Sequence, residues 1–164
     1  MDLTPSFATW MHVTFLHMWM LHARMRRLPV DISKQIQNEL KNHFFYVAEE
    51  RMKALHKLTS SDLRTKYLRD FFEQWQGAVF SYDEGLIRGD AILATALWTS
   101  IFKSDDRSPV ENVTTVVEYA RSTLQYLDGL SDADFLNIKK FPHAKAAPSI
   151  ESATPVLEKV AVDT

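Results

Sequence analysis

The chain has 164 residues, a formal net charge of −2 and an apolar fraction of 46%. That is the size of one domain with enough apolar residues for a core, and the whole-chain charge does not mark a nucleic-acid binder. It contains no cysteine, which excludes a disulfide framework, a thiolate nucleophile and a zinc–thiolate centre. The charge is uneven: residues 1–80 hold 11 Lys and Arg against 8 Asp and Glu, and residues 81–164 hold 8 against 13. Such a basic first half is either an ordinary solvated surface or one that meets an anionic partner, RNA or lipid headgroups.

Thr4-Pro5 predicts a helix start, with Thr4 as N-cap and Pro5 at the first position, where no donor is lost. From Phe7 to Ala23 the helix carries no charge, and it then runs into Arg24-Met-Arg-Arg27, where the dipole favours cations. Pro29 ends it. Apolar residues lie at nearly every angle around it, so the helix is buried in protein or in lipid. A bilayer span needs roughly 20 apolar residues. The uncharged run is shorter and carries His12, His17, His22, Thr9 and Thr14. Both solvents stay open at this point, with a docking helix between them. Met11, Met18, Met20 and Met25 suit either a core or an adaptable apolar interface. No positive region or small-residue cleavage site marks a secretory signal, and the start is not a mitochondrial transit peptide.

A second helix is predicted from Asp31 to Leu58, with Ile32, Ile36, Leu40, Phe44, Val47, Ala48, Met52 and Leu55 on one stripe. Thr59-Ser-Ser-Asp62 is a turn rich in capping residues. A third helix follows with Leu63, Tyr67, Leu68, Phe71, Phe72, Trp75 and Val79 on its buried side. Gly77 lies in that pattern, where a close helix crossing or a bend would explain it. Gly89 ends this helix and Asp90 caps a fourth, Ala91 to Phe102, whose small residues let a neighbour approach. Ser108-Pro-Val-Glu111 reads as a capping box opening a fifth helix, with Val113, Val116, Val117, Ala120, Leu124 and Leu127 inward and Gly129 at its end. Ser131-Asp-Ala-Asp134 can start one more turn. The expected fold is all-α: a single helical bundle of about five main helices, residues 1–140, with a disordered C-terminal tail, residues 141–164.

Candidate chemistry is sparse. His12, His17 and His22 recur every five residues, so neighbours point about 140° apart on a helix and do not share a metal. Glu39 and His43 share a face, but the Glu-x-x-His pairs of di-iron bundles do not occur. Asp83 and Glu84 diverge by about 100°, which suits surface or capping roles rather than an acid dyad. Phosphate-binding loops, serine elbows and kinase signatures do not occur. The aromatic stripe from Tyr67 to Trp75 reads as core rather than a base-stacking platform. No catalytic residue, cofactor site or metal site is expected.

Three blocks stand in a telling order: Thr14-Phe-Leu-His-Met-Trp-Met-Leu-His-Ala-Arg-Met-Arg26, His43-Phe-Phe-Tyr-Val-Ala-Glu-Glu-Arg-Met52, and Gly77-Ala-Val-Phe-Ser-Tyr-Asp-Glu-Gly-Leu-Ile-Arg-Gly-Asp90 running into Leu93-Ala-Thr-Ala-Leu-Trp98. In that order they resemble the ubiquinol–cytochrome c chaperone family, and in particular its fungal mitochondrial members. The resemblance covers roughly Trp10 to Leu127. It implies a helical domain without enzymatic activity or cofactor. It further implies an assembly factor for cytochrome b of respiratory complex III, on the matrix side of the mitochondrial inner membrane. The implied partners are a small helical assembly-factor protein, newly made cytochrome b and the mitochondrial ribosome near its tunnel exit. A peripheral contact with the inner membrane is also implied; DNA is not a partner.

The positions matching the family pattern are the partner-binding candidates: Leu16, His17, Trp19, Arg24, Phe44, Phe45, Arg51, Gly77, Tyr82, Asp83, Glu84, Gly89 and Asp90. Two departures stand out. Val47 replaces the acid of Phe-Phe-x-Asp-Ala-Glu, and Trp98-Thr99-Ser100 replaces Trp-Arg-Asn, which removes a fixed cation. Mitochondrial relatives carry a longer N-terminal extension, so this chain is expected to be a shortened form. Two other classes remain open on the residues alone: a membrane-associated helical scaffold, and a ligand- or metal-binding helical bundle.

Overall fold

The computed structural model describes residues 6–56, 60–103 and 109–138. Among the described residues six helices follow one another: α1 Phe7–Met25, α2 Val30–His56, α3 Ser61–Arg88, α4 Asp90–Ile101, α5 Val110–Gly129 and α6 Asp132–Leu136. The described residues contain no strand. The all-α expectation holds, and the short turn expected after Gly129 is α6.

α1 is the axis of the bundle and packs against α2, α3, α4 and α5. Met11, Phe15, Leu16, Met18, Trp19 and Met20 are all buried around its circumference. Its missing polar face is therefore explained by protein on most sides. Among the described residues no helix is long and apolar enough to cross a membrane. Met25 is buried as well, so the α1 methionines fill the core and form no open interface.

α1 and α3 start on serine caps. The Ser6 hydroxyl accepts from the Thr9 N–H at 3.1 Å and opens α1; Thr4 and Pro5 lie outside the described residues. Ser60 caps α3. Pro109 stands at the N-cap position of α5, which has no side-chain cap; Ser108, expected there, lies outside the described residues, as does the tail 141–164.

Element lengths decide which apolar faces are covered. α3 has 28 residues and α4 only 12. At 1.5 Å per residue these are about 42 and 18 Å long, so α4 covers less than half of α3. Leu63, Tyr67 and Phe72, predicted on the buried side, are exposed, and the buried set of α3 is Trp75, Ala78, Tyr82 and Gly85. On α2, Ile32 is exposed while Ser33 turns inward. Leu28, just before Pro29, is 5% exposed and already fills the core at that end.

The close crossing lies about two turns further along α3 than the pattern put it, at Gly85 instead of Gly77. Gly77 has nothing within 4 Å of where a Cβ would stand. At Gly85 a Cβ would lie 2.6 Å from Leu93 Cα, so α3 and α4 touch backbone to backbone there. Gly89, at φ 111°, makes the turn between them.

Candidate functional site

Most of the family-pattern residues gather in two places along α1. The first is its C-terminal end. The Trp19 indole N–H donates to Asp83 Oδ1 at 2.8 Å. Arg26 grips the same carboxylate with two nitrogens, at 2.9 and 2.7 Å. Asp83 is therefore a tertiary link between α1 and α3, not the surface or capping residue expected. The Trp19 ring meets Tyr82 edge-on at 5.3 Å. The Tyr82 and Ser100 hydroxyls lie 2.6 Å apart and join α3 to α4. Burial pushes the Tyr82 hydroxyl up to about 12, against the Ser100 hydrogen bond, so it stays a neutral phenol.

Arg24 points the other way around α1. Its Nε donates to the Leu127 carbonyl at 2.9 Å and its Nη2 to the Leu130 carbonyl at 2.8 Å and Asp132 at 2.7 Å. Arg27 pairs with Asp128. The cationic run read as complementing the α1 dipole thus reaches α3, α5 and α6. On the far side, Arg121 of α5 donates to Asp90 at 2.7 Å and to the Gly85 carbonyl at 3.3 Å. Asp90 is the first residue of α4 and no side-chain cap closes that helix start; Gly89 occupies the cap position. Glu84 diverges from Asp83, as their spacing requires, and pairs with Arg88.

His17 sits between α1 and α5. Its Nδ1 bonds the Val13 carbonyl and its Nε2 bonds Tyr119 Oη, both at 2.8 Å. A carbonyl only accepts, so Nδ1 carries the proton and Nε2 accepts from the phenol. Burial holds His17 below the ordinary histidine range, opposed by the Val13 hydrogen bond.

The second place is the N-terminal half of α1, where aromatic side chains meet. Phe44 stacks on Trp10 at 5.7 Å and meets Phe15 at 5.3 Å and Phe45 at 5.1 Å. The Arg51 guanidinium lies 4.5 Å from the Trp10 ring centroid. Leu16 is buried in the same core. Val47, in place of the family's acid, packs half-buried against it.

Gly77 belongs to neither place. It lies in an open groove of about 550 Å³ between α3 and α4, with His12, Ser81, Tyr82, Thr99 and Ser100 along its walls. Phe80 is 72% and Ile87 84% exposed on α3. His12 Nδ1 is buried there without a hydrogen-bond partner among the described residues, and burial with the nearby Lys103 charge keeps the ring below the usual histidine range.

These contacts hold helices in register. Among the described residues no three His, Asp or Glu side chains converge to hold a metal ion. Sequence reading missed Arg26, Gly85, Ser100, Arg121 and Phe135. Arg26 and Gly85 stood inside the quoted blocks, but their partners are 57 residues away and on the next helix, respectively.

The family model described as ubiquinol-cytochrome C chaperone matches residues 1–141. The mitochondrial protein CBP3 of Saccharomyces cerevisiae is 34% identical over 159 residues, covering 97% of this chain and 47% of that protein. Ubiquinol-cytochrome-c reductase complex assembly factor 1 of Xenopus laevis is 32% identical over 82% of this chain and 66% of its own length. The human assembly factor 1 is 28% identical, over 82% of this chain and 44% of its own length. The chain spans about half to two thirds of the relatives it matches. No solved structure matches it.

Proposed function

Since the chain belongs to the ubiquinol–cytochrome c chaperone family, we propose that it is a non-enzymatic assembly chaperone for respiratory complex III, acting in mitochondria. The observation that carries this reading is the family match over residues 1–141, with relatives named as assembly factors of that complex. In finer terms, the protein supports synthesis of cytochrome b at the mitochondrial ribosome near the tunnel exit. It then holds the new subunit on the matrix side of the inner membrane, together with a small helical partner protein and with peripheral contact to the membrane.

The geometry supports a division of labour among the family-pattern residues. Trp19, Arg24, Tyr82, Asp83, Gly89 and Asp90 build the scaffold. A chaperone for a hydrophobic client also needs apolar surface that can be covered. The exposed Phe80 and Ile87 of α3 are candidates for such surface, and Gly77 lines the groove.

The test is removal of the protein from its own cells. Native gels are expected to show a loss of assembled complex III with other respiratory complexes retained. Crosslinked purification of the tagged full-length protein is expected to recover newly made cytochrome b and ribosomal proteins of the tunnel exit. Normal complex III levels without the protein would overturn the reading.

A further inference from the structure

Among the described residues Arg24, Arg26, Arg27, Arg64, Arg88 and Arg121 each hold a carboxylate. Arg69 holds none there and stands exposed in water. Arg51 holds none there either, yet it is half-buried, and its Nε is out of water without a hydrogen-bond partner. A cation drawn out of water without a counter-ion is unfavourable, so its position needs a reason.

Part of the reason is packing. The Arg51 guanidinium lies 4.5 Å from the Trp10 ring centroid, and Trp10 is itself held between Phe44 at 5.7 Å and Phe7 at 5.4 Å. A cation over an indole face is a favourable pair that holds the head without using its N–H groups. The counter-ion is what the described residues do not supply. Three and four positions away on α2 the sequence has Val47, Ala48, Ala54 and Leu55, so the spacing that pairs charges along a helix offers no acid. Glu49 and Glu50 are engaged by Lys53 and Arg64. α1, which carries Trp10, has no acid in its first turn. Burial alone holds Arg51 below the ordinary arginine range, with no carboxylate opposing it.

We propose that Arg51 is a docking point for one carboxylate from outside the chain, the side chain of an Asp or Glu on a bound protein. Nε is closed off, so the Nη1–Nη2 edge is the open part of the head, and that edge matches the two oxygens of a carboxylate. A phosphate polymer or an anionic membrane is a poorer match. Such surfaces are held by several cations together, and here one free guanidinium stands next to Glu49 and Glu50 in the sequence. The inference stands apart from the chaperone reading, because it concerns the anion and not the protein that carries it.

The probes are sodium acetate, the amide of N-acetylglutamate and inorganic phosphate. Each is titrated into the isotope-labelled full chain at neutral pH and constant ionic strength, with chloride as the balancing anion. The readout is the Nε–H signals of Arg51 and Arg69 in nuclear magnetic resonance, that of Arg51 being identified by its loss in Arg51→Lys. Both carboxylates are expected to shift Arg51 saturably and to bind there at least about tenfold more tightly than at Arg69. Equal, unsaturated shifts at the two arginines overturn the inference and leave a solvated cation only. A response to acetate without one to the glutamate amide overturns the protein assignment in favour of a small free acid. Tighter binding of phosphate than of either carboxylate overturns the choice of anion. Val47→Glu sets a carboxylate one turn before Arg51, and the folded variant is expected to bind acetate at least about tenfold more weakly. An undiminished response in that variant overturns the site. Should Val47→Glu fail to fold, the comparison of Arg51 with Arg69 in the unchanged chain decides.

Discussion

At its C-terminal end α1 is tied to α3, α5 and α6 through Trp19, Arg24, Arg26 and Arg27. In its N-terminal half Trp10 and Phe15 instead lie among Phe44, Trp75 and the Arg51 guanidinium. The polar end fixes direction, because a bidentate carboxylate or a buried carbonyl accepts only at set angles. The aromatic half supplies burial, which is strong but tolerant of small shifts. The bundle thus separates how its helices are aimed from what holds them together.

Phe44→Ala breaks the aromatic half most directly. It is expected to lower stability by about 3–5 kcal/mol in denaturant unfolding, since Phe44 contacts three rings at once. Gly85→Ala comes next, at about 1–3 kcal/mol: the added methyl must push the Leu93 backbone away, and this outweighs the gain in helix propensity. A melt no lower than that of the unchanged chain would mean that the α3–α4 contact gives way freely.

Asp83→Asn is expected to lower stability by about 1–2 kcal/mol, because Arg26 is partly exposed and solvent weakens that half of the interaction. The two regions should then part company in salt. Going from about 0.1 to 1 M salt shortens the screening length from about 10 to 3 Å, so the Asp83→Asn deficit shrinks while the Phe44→Ala deficit does not.

The response to pH joins both regions. Burial lowers His12, His17 and His22, with Lys103 reinforcing it at His12 and Arg26 at His22. Each takes its proton more readily unfolded, near 6.5, than folded. Their contribution is complete above 6.5 and is lost as pH falls from there toward the lowered values. Melting temperature is expected to drop across that window, and a flat profile would show that the rings are solvated. Glu84→Gln marks the small end of the scale, at about 0.5 kcal/mol or less, because both partners of its ion pair are exposed.

The sequence by itself settled the element types. Spacings of three and four residues, helix-stopping Pro29 and Gly89, and the absence of alternation suffice for that, because helices form from contacts local to the chain. The uncharged α1 also announced burial on most sides. The aromatic cluster was partly legible, since Phe44 and Trp75 stood on their predicted stripes. Its limits were not: Tyr67 and Phe72 share a stripe with Trp75, and they are exposed because α4 is too short to reach them. The same holds for the site. Asp83, Arg24 and Tyr82 stood out as residues, but their roles required Arg26, Leu127 and Ser100, which lie 57, 103 and 18 positions from them. Helical periodicity says which way a side chain points from its own axis. Only the packing of one helix against another decides what it meets there, and that is why the scaffold at the end of α1 belongs to the tertiary structure.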